Sequence, residues 1–364
     1  MQNYFINRSG LYNSENEHDS CGIGFVASIK GNASHDIVKR GLEVLVNMTH
    51  RGAESSDNVS GDGAGILIQL PHNFFKTKIP NIPSPGNYGA GLLFLPKNPA
   101  DREACENILF SLIKQENLEI ISTREVPVNS NVVGEIARST EPYIKQVFIT
   151  GDYEQEDLER KLYVVRKLAE KVVRESGIAE KTFFHFPSLS TKTIVYKGMF
   201  TPEQLLHYFS DFHDRAFESA IALVHSRFST NTFPTWDLAQ PFRYIAHNGE
   251  INTIKGNRLW MQTRESLLKT DVFGKDLQKL FPIIEPGKSD SASFDNVLEF
   301  LALTGRTLPH SISMMVPESF NDKNPIPQSL KDFYEYHSTI MEPWDGPASR
   351  SEEHTSELQS RHNL

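Results

Sequence analysis

The chain has 364 residues, a hydrophobic content of 38% and a formal net charge of −9 at pH 7. It can fill a sizeable core, and its acidic balance disfavours binding to nucleic acid or to an anionic membrane. No run of about 18 apolar residues is present, and the first twenty residues lack the pattern of a secretory signal. We therefore expect a globular, cytoplasmic protein whose partners are small molecules or protein.

Only two cysteines occur, Cys21 and Cys105. Two are too few for a disulfide framework or for a metal site built from cysteine. The sequence therefore predicts no metal centre and leaves each cysteine to be judged by its own surroundings.

The first predicted unit is a strand, a turn and a helix. Apolar and small residues alternate from residue 21 to residue 29 with the period of a half-buried strand, and residues 31–33 turn the chain. Ser34 is then a suitable N-cap for an amphipathic helix that carries Asp36 in its first turn.

The later elements mix strands and helices. In chain order they are strands at 63–70 and 88–95, helices at 101–116 and 155–175, a strand at 188–197, a helix opened by a capping box at 201–204, and a strand at 220–228. Their order lacks the regular alternation of a doubly wound parallel sheet, and no Gly-x-Gly-x-x-Gly opens a helix. This pattern predicts an α+β fold with antiparallel sheets, one domain after residue 20 and no nucleotide binding.

The end of the chain differs from the rest. Residues 350–364, RSEEHTSELQSRHNL, are polar and have no apolar period. The segment resembles a translated sequencing adaptor, so we expect a non-native tail without native structure and a natural protein that continues further.

The stretch EHDSCGIGF joins a polar lead-in directly to a strand that starts at Cys21. A thiol acts as a nucleophile only as thiolate, and no side-chain base flanks this cysteine in the sequence. If residues 1–20 were removed, the new α-amine, with a pKa of about 7.7 to 8, would accept the thiol proton. The alternative is a buried free cysteine that starts an ordinary strand.

Three further motifs suit the same chemistry. Arg227 in VHSRFSTNT is suited to holding a carboxylate, Asn248 and Gly249 in AHNGEINT form a predicted turn that could stabilise an oxyanion, and Asp290 in GKSDSASFDN, in a loop before a helix, could hold an ammonium group. Each has an ordinary alternative: a surface ion pair for Arg227, a hairpin turn for Asn-Gly and helix capping for Asp290.

Taken together, the chain resembles the class II glutamine amidotransferase domain of the glutamate synthase large subunit. The resemblance runs from about Leu11 to Pro347 and is carried by CGIGF, HRGAESSDNVSGDGAG, HSRFSTNTFPTW, HNGEINT, KSDS and YEYHSTIMEPWDGP. It implies the N-terminal nucleophile hydrolase fold, a four-layer αββα sandwich with antiparallel sheets that would be incomplete at its C-terminal end here. It also implies a propeptide at 1–20 and an amidotransferase domain at 21–349.

The same resemblance implies a specific role for five of the matched residues. Cys21 would be the catalytic nucleophile, and Asn248 and Gly249 would form the oxyanion hole. Arg227 would bind the α-carboxylate of L-glutamine and Asp290 its α-ammonium group. Arg51 and Gly52, in the HRG motif, would line the site.

In the family, ammonia passes to a separate synthase domain, where it aminates 2-oxoglutarate. The resemblance implies FMN and an iron–sulfur cluster in that domain, which is absent from this chain, and a small reductase subunit as a partner. No cofactor is implied within the residues present. The electron donor of the intact enzyme, NADPH, NADH or ferredoxin, stays open.

Two other functions remain open from the residues alone. One is an N-terminal cysteine hydrolase that acts on another amide, such as an acylase; it would not need Arg227 and Asp290 together. The other is an inactive truncated remnant that serves only as an interaction module.

Overall fold

The computed structural model describes residues 22–226, 233–320, 325–346, 348–350 and 358–359, the last two ranges through their backbone alone. The strands are β1 (Ile23–Ala27), β2 (Ala64–Gln69), β3 (Tyr88–Leu95), β4 (Glu119–Glu125), β5 (Tyr143–Thr150), β6 (His185–Ser190), β7 (Thr193–Gly198), β8 (Ile221–Ser226), β9 (His247–Gly249), β10 (Ala348–Arg350) and β11 (Leu358–Gln359). The helices are α1 (His35–Asn47), α2 (His72–Lys78), α3 (Pro99–Gln115), α4 (Glu135–Ser139), α5 (Gln155–Glu175), α6 (Pro202–Tyr208), α7 (Ile254–Glu265), α8 (Asp290–Leu303), α9 (Leu308–Met315) and α10 (Gln328–Ser338).

Eight of these strands form two four-stranded sheets with the orders β1-β8-β2-β7 and β4-β5-β3-β6, and every pairing in them is antiparallel. This confirms the predicted α+β fold with antiparallel sheets. The two sheets meet where Gln146 Nε2, on β5, donates a hydrogen bond to the Tyr196 hydroxyl, on β7, at 2.6 Å. None of the helices in the described ranges combines the length and apolar composition needed to cross a bilayer.

Helices cover the sheets through apolar stripes that the sequence pattern predicts. Helix α1 begins at the predicted N-cap, where Ser34 Oγ accepts the Ile37 N–H, and it packs against the first sheet. That contact is close because Gly41 has no side chain: a Cβ there would lie 2.6 Å from Ala222 Cβ. Helices α3 and α5 share a second core with the other sheet, in which Leu109 and Leu162 are fully buried.

One predicted strand is wrong. Residues 188–197 are not a single strand but the end of β6, a turn and most of β7, and these two strands belong to different sheets. The turn is held by Glu159 of α5, whose carboxylate accepts the Ser190 hydroxyl at 2.6 Å and the Thr191 N–H at 2.6 Å. A contact between residues so far apart in the chain has no local signal.

Helices α7, α8 and α9 share a core of their own, which includes Ile283, Val297 and Trp344. Tyr163 and Val164 of α5 belong to the same core, so α5 connects this region to the sheets.

Two short strands follow this helical region. Strand β10 pairs with β9, and β11 pairs with β10. Arg350 and Leu358–Gln359 therefore carry backbone structure inside the segment for which the sequence predicted none, because backbone pairing needs a neighbouring edge rather than an apolar period.

Candidate functional site

The predicted site residues divide into two groups. Asn248, Gly249 and Asp290 lie in the described part of the chain, whereas Cys21 and Arg227 lie outside the described residues. The described part of the site therefore consists of the first group and the chain neighbours of the second.

The strands nearest in the chain to Cys21 and Arg227, β1 and β8, are paired with each other. Ile23 of β1 lies opposite His225 of β8, and the Ser226 N–H donates to the Gly22 carbonyl at 2.7 Å. Gly22 follows Cys21 in the chain and Ser226 precedes Arg227. The pairing thus brings together the chain neighbours of the predicted nucleophile and the predicted carboxylate-binding arginine.

The HRG motif lies at the same end of β8. Thr49–Arg51 forms a short 3₁₀-helix after α1, and a Cβ on Gly52 would lie 3.3 Å from Ser226 Oγ. A cavity of about 260 Å³ opens beside it, lined by Thr49, Gly52, Ala53, Glu54, Thr201 and Pro202. The motif therefore borders the end of β8.

Asn248 and Gly249 are part of strand β9 rather than of the predicted turn. Ser349 lies opposite Asn248 and Ala348 lies opposite Gly249 in the antiparallel pairing with β10. Gly249 has a φ of 154°. The turn prediction is wrong because a strand edge supplied by distant residues competes with the local turn preference of Asn-Gly.

Asp290 is the first residue of α8 and not part of a loop, and Ser289 is the N-cap, accepting the Ala292 N–H. The Asp290 carboxylate accepts the Ile251 N–H at 2.8 Å through Oδ2 and the Ser291 N–H at 2.6 Å through Oδ1. The start of a long helix is a favourable place for a negative charge. Asp290 therefore holds the segment that follows β9 against the start of α8.

A second contact joins β9 to the same helix. His247 Nδ1 lies 2.7 Å from Ser291 Oγ, and both side chains are buried. The start of α8 thus contacts the chain on both sides of Asn248 and Gly249. The structure thus places Asn248 and Gly249 beside the start of α8, where Asp290 lies.

An ion pair that the sequence did not reveal supports this arrangement. The Lys288 ammonium group contacts the Asp237 carboxylate, and the Asp237 carbonyl accepts a hydrogen bond from Lys197 Nζ at 2.7 Å. Burial alone would raise the pKa of Asp237, yet Lys288 holds that pKa well below its usual range. Burial lowers the pKa of Lys197 to about 7. Nothing in the sequence marks Asp237 or Lys288 as partners.

A second set of buried charged side chains connects α5, β6 and α8. Arg166 of α5 is fully buried; it donates to Glu299 at 2.5 Å and to Glu170 at 3.3 Å. Arg243 also donates to Glu299, and His185 Nδ1 lies 3.1 Å from Glu170. Burial lowers the pKa of His185 to about 4 in spite of that carboxylate. The network ties α5, β6 and α8 together; its one local signal is the i, i+4 spacing of Arg166 and Glu170.

The described residues contain no group of three or more histidine, cysteine or acidic side chains that could hold a metal ion. Cys105 is buried in α3, and burial raises the pKa of its thiol to about 11. That thiol is poorly suited to act as a nucleophile or as a metal ligand at neutral pH.

Comparison with known proteins gives one family and a consistent set of relatives. The model of the family "Glutamine amidotransferases class-II" matches residues 21–353. The chain is 47% identical over 347 residues to the glutamate synthase [NADPH] large chain of Bacillus subtilis (strain 168), covering 94% of this chain and 23% of that protein. It is 44% identical over 363 residues to the glutamate synthase [NADH] of Saccharomyces cerevisiae, covering 95% of this chain and 17% of the relative.

A third relative has another electron donor in its name. The chain is 41% identical over 349 residues to the ferredoxin-dependent glutamate synthase of Pyropia yezoensis, covering 94% of this chain and 23% of the relative. The chain thus spans less than a quarter of the length of each of these three relatives.

Proposed function

The chain belongs to the class-II glutamine amidotransferases, and we propose that it hydrolyses L-glutamine to glutamate and ammonia through a thioester on Cys21. The fold of this family, that of the N-terminal nucleophile hydrolases, matches the two antiparallel sheets and their helices. The observation that carries the proposal is the contact of Asp290 with the segment following Asn248 and Gly249. It supports a single site with an ammonium-binding group beside an oxyanion hole.

The first step forms the nucleophile. Loss of residues 1–20 leaves Cys21 at the amino terminus, and its α-amine accepts the thiol proton. The resulting thiolate attacks the side-chain amide carbon of glutamine. The hydrogen bond between Gly22 and Ser226 supports this step, since it ties the strand that follows Cys21 to the end of the strand that precedes Arg227.

The second step passes through a tetrahedral intermediate. Asn248, through its side-chain amide, and Gly249, through its backbone N–H, stabilise the oxyanion. The carbon–nitrogen bond breaks, and ammonia leaves with the proton that the α-amine took from the thiol. Water then attacks the γ-glutamyl thioester with the α-amine as base, which releases glutamate and restores the thiol.

Substrate selection requires both ends of an amino acid. Arg227 binds the α-carboxylate with parallel hydrogen bonds, and Asp290 binds the α-ammonium group. Asp290 Oδ2 accepts one backbone N–H, from Ile251, and a carboxylate oxygen has a second lone pair for an ammonium donor. The pairing of a cation with an anion favours an amino-acid substrate over other amides.

The role of the whole protein is proposed from its relatives. We infer that the ammonia is used to aminate 2-oxoglutarate in a further region of a glutamate synthase, which carries FMN and an iron–sulfur cluster. The described residues do not fit such a cluster, because thiolates are its usual ligands and Cys105 is isolated in α3. NADPH, NADH and ferredoxin, the donors in the relatives' names, are the candidate electron donors, with a small reductase subunit as a candidate partner.

The test is an intact mass and amino-terminal sequence of the purified chain, followed by a glutaminase assay. We expect Cys21 at the terminus, release of glutamate and ammonia, and no turnover by Cys21→Ala. Brief incubation with glutamine followed by acid quenching should trap one γ-glutamyl group on the wild-type chain and none on Cys21→Ala. Glutamine hydrolysis that survives in Cys21→Ala would reject the thioester.

A second variant separates glutamine from other amide substrates. Arg227→Lys keeps the positive charge but loses the paired hydrogen bonds, so KM for glutamine should rise. An unchanged KM, together with faster hydrolysis of an acyl amide without a carboxylate, would favour a different amide hydrolase.

A further inference from the structure

The side chain of Gln240 forms two hydrogen bonds with His247, which lies in β9, the strand that carries Asn248 and Gly249. Its Oε1 accepts the His247 N–H at 2.8 Å, and its Nε2 donates to the His247 carbonyl at 2.9 Å. Gln240 is only 4% exposed. Because both ends of the amide are used on the same residue, the side chain fixes the backbone of His247 in position and orientation, directly before Asn248.

The backbone of Gln240 lies close to the first sheet. A Cβ on Gly65, in β2, would lie 2.6 Å from the Gln240 carbonyl oxygen, so the missing side chain allows this close approach. Gly65 lies opposite His225 of β8, and His225 precedes Arg227 by two residues in the chain. Gln240 therefore connects the sheet that carries the end of β8 to the strand that carries Asn248 and Gly249.

We propose that Gln240 is a positioning residue for glutamine hydrolysis, holding Asn248 and Gly249 where the oxyanion develops. This inference rests on the proposed function. A donor aimed at the oxyanion acts mainly in the transition state, and a displacement of about 1 Å can cost on the order of a hundredfold in rate. Loss of Gln240 therefore lowers kcat and leaves KM for glutamine nearly unchanged.

If Gln240 had only a structural role, its loss would lower Tm without a specific fall in kcat. The chain offers a matched control for this alternative. Gln146 is also a fully buried glutamine with two side-chain hydrogen bonds, to the Tyr196 hydroxyl and to Arg124. It lies between the two sheets, on β5, rather than beside β9. Replacing either glutamine by methionine removes two side-chain hydrogen bonds, but of the two glutamines only Gln240 bonds to β9.

The first experiment measures kcat, KM and Tm for the full chain, Gln240→Met and Gln146→Met. We expect kcat to fall roughly ten- to a hundredfold in Gln240→Met with KM within about threefold of wild type. Gln146→Met should keep kcat within about threefold of wild type, even if its Tm falls as much as that of Gln240→Met. Equal losses of kcat in the two variants, or a loss confined to KM, would overturn the proposal.

A double-mutant cycle tests whether Gln240 acts through Asn248. In the Asn248→Ala background, the further change Gln240→Met should lower kcat by less than it does in the wild-type background, because one of the two oxyanion donors that Gln240 positions is already gone. A loss as large as in the wild-type background would show that Gln240 does not act through Asn248 and would overturn the proposal.

A measurement without turnover separates this inference from the proposed function. Hydrogen exchange of the peptide covering residues 247–251 should be at least roughly tenfold faster in Gln240→Met and unchanged in Gln146→Met. Unchanged exchange there in Gln240→Met would overturn the positioning role even in an active enzyme. A wild-type chain without glutaminase activity would reject the proposed function, whereas the exchange result would still decide whether Gln240 holds β9.

Discussion

Asp290 Oδ2 accepts the Ile251 N–H at 2.8 Å, which makes the start of α8 and the segment after β9 one unit. The proposed ammonium-binding carboxylate and the proposed oxyanion donors therefore cannot move independently. A change at Asp290 has two separable effects, on the charge that faces the substrate and on the hydrogen bond that holds Ile251.

Asp290→Asn separates these two effects. The amide oxygen can still accept the Ile251 N–H, but the negative charge is lost. Since hydrogen bonds to charged groups contribute about 1.5 to 3 kcal/mol, KM for glutamine should rise roughly ten- to a hundredfold with kcat nearly unchanged. Glutaramate, which lacks the α-amino group, is the control substrate and should be hydrolysed equally by both enzymes. A KM for glutamine equal to that of wild type would remove Asp290 from the substrate site.

Asn248→Ala tests the oxyanion hole itself. Loss of one oxyanion donor typically lowers kcat by about a hundred- to a thousandfold, because the donor acts where charge develops in the transition state. We expect that loss together with a Tm close to that of wild type, as measured by steady-state kinetics and thermal unfolding. A variant that keeps more than about a tenth of the wild-type rate would contradict the assignment.

Asp237→Asn tests the ion pair that holds the turn before Asp290. The side chains of Lys288 and Asp237 are 24% and 22% exposed, so the loss of unfolding free energy should be about 1 to 2 kcal/mol, below that of a fully buried pair. Urea denaturation of Asp237→Asn, Lys288→Met and the double variant measures the coupling. If the two single losses simply add, the pair does not act as a unit.

The sequence predicted the regular elements better than the contacts between them. Helix α5 has the predicted bounds because its long apolar period is a local signal, and β3 is likewise found where its apolar run predicted. The turn between β6 and β7 is not predicted because SLSTKT contains no glycine, proline, asparagine or aspartate, and its threonines are also favoured in strands. A motif marks Asp290 in the sequence, whereas Asp237 and Gln240 are ordinary residues whose contacts depend on partners brought close only by folding.

Glu159 should be essential for the turn that the sequence did not reveal. Its carboxylate accepts three hydrogen bonds from Ser190 and Thr191, at 2.6 to 2.7 Å, and Glu159→Ala leaves these buried donors without that acceptor. We expect a loss of about 2 to 4 kcal/mol in unfolding free energy. Glu156, in the first turn of the same helix, forms an exposed ion pair with Lys192, so Glu156→Ala should change stability by less than about 1 kcal/mol. Equal losses in the two variants would argue against the assigned role of Glu159.

His185 should make the fold sensitive to acid. Burial lowers its pKa to about 4 from an ordinary value of 6.5, so the unfolded chain binds a proton on this residue more readily than the native protein does. Its contribution is fully present above pH 6.5 and is lost as the pH falls from 6.5 towards 4, by up to about 3 kcal/mol.

Glu170, which contacts His185, changes stability in the same direction. Its pKa is held well below its usual range, because the contact with His185 and the positive charge of Arg166 outweigh the effect of burial. A carboxylate whose pKa is lower in the native protein than in the unfolded chain also stabilises the fold at a pH above its unfolded-state pKa. This stability is lost as the pH falls. His185→Gln should therefore lower stability at neutral pH but reduce the slope between pH 6.5 and 5, as measured by urea denaturation at each pH. An unchanged slope in His185→Gln would show that other groups cause the acid sensitivity.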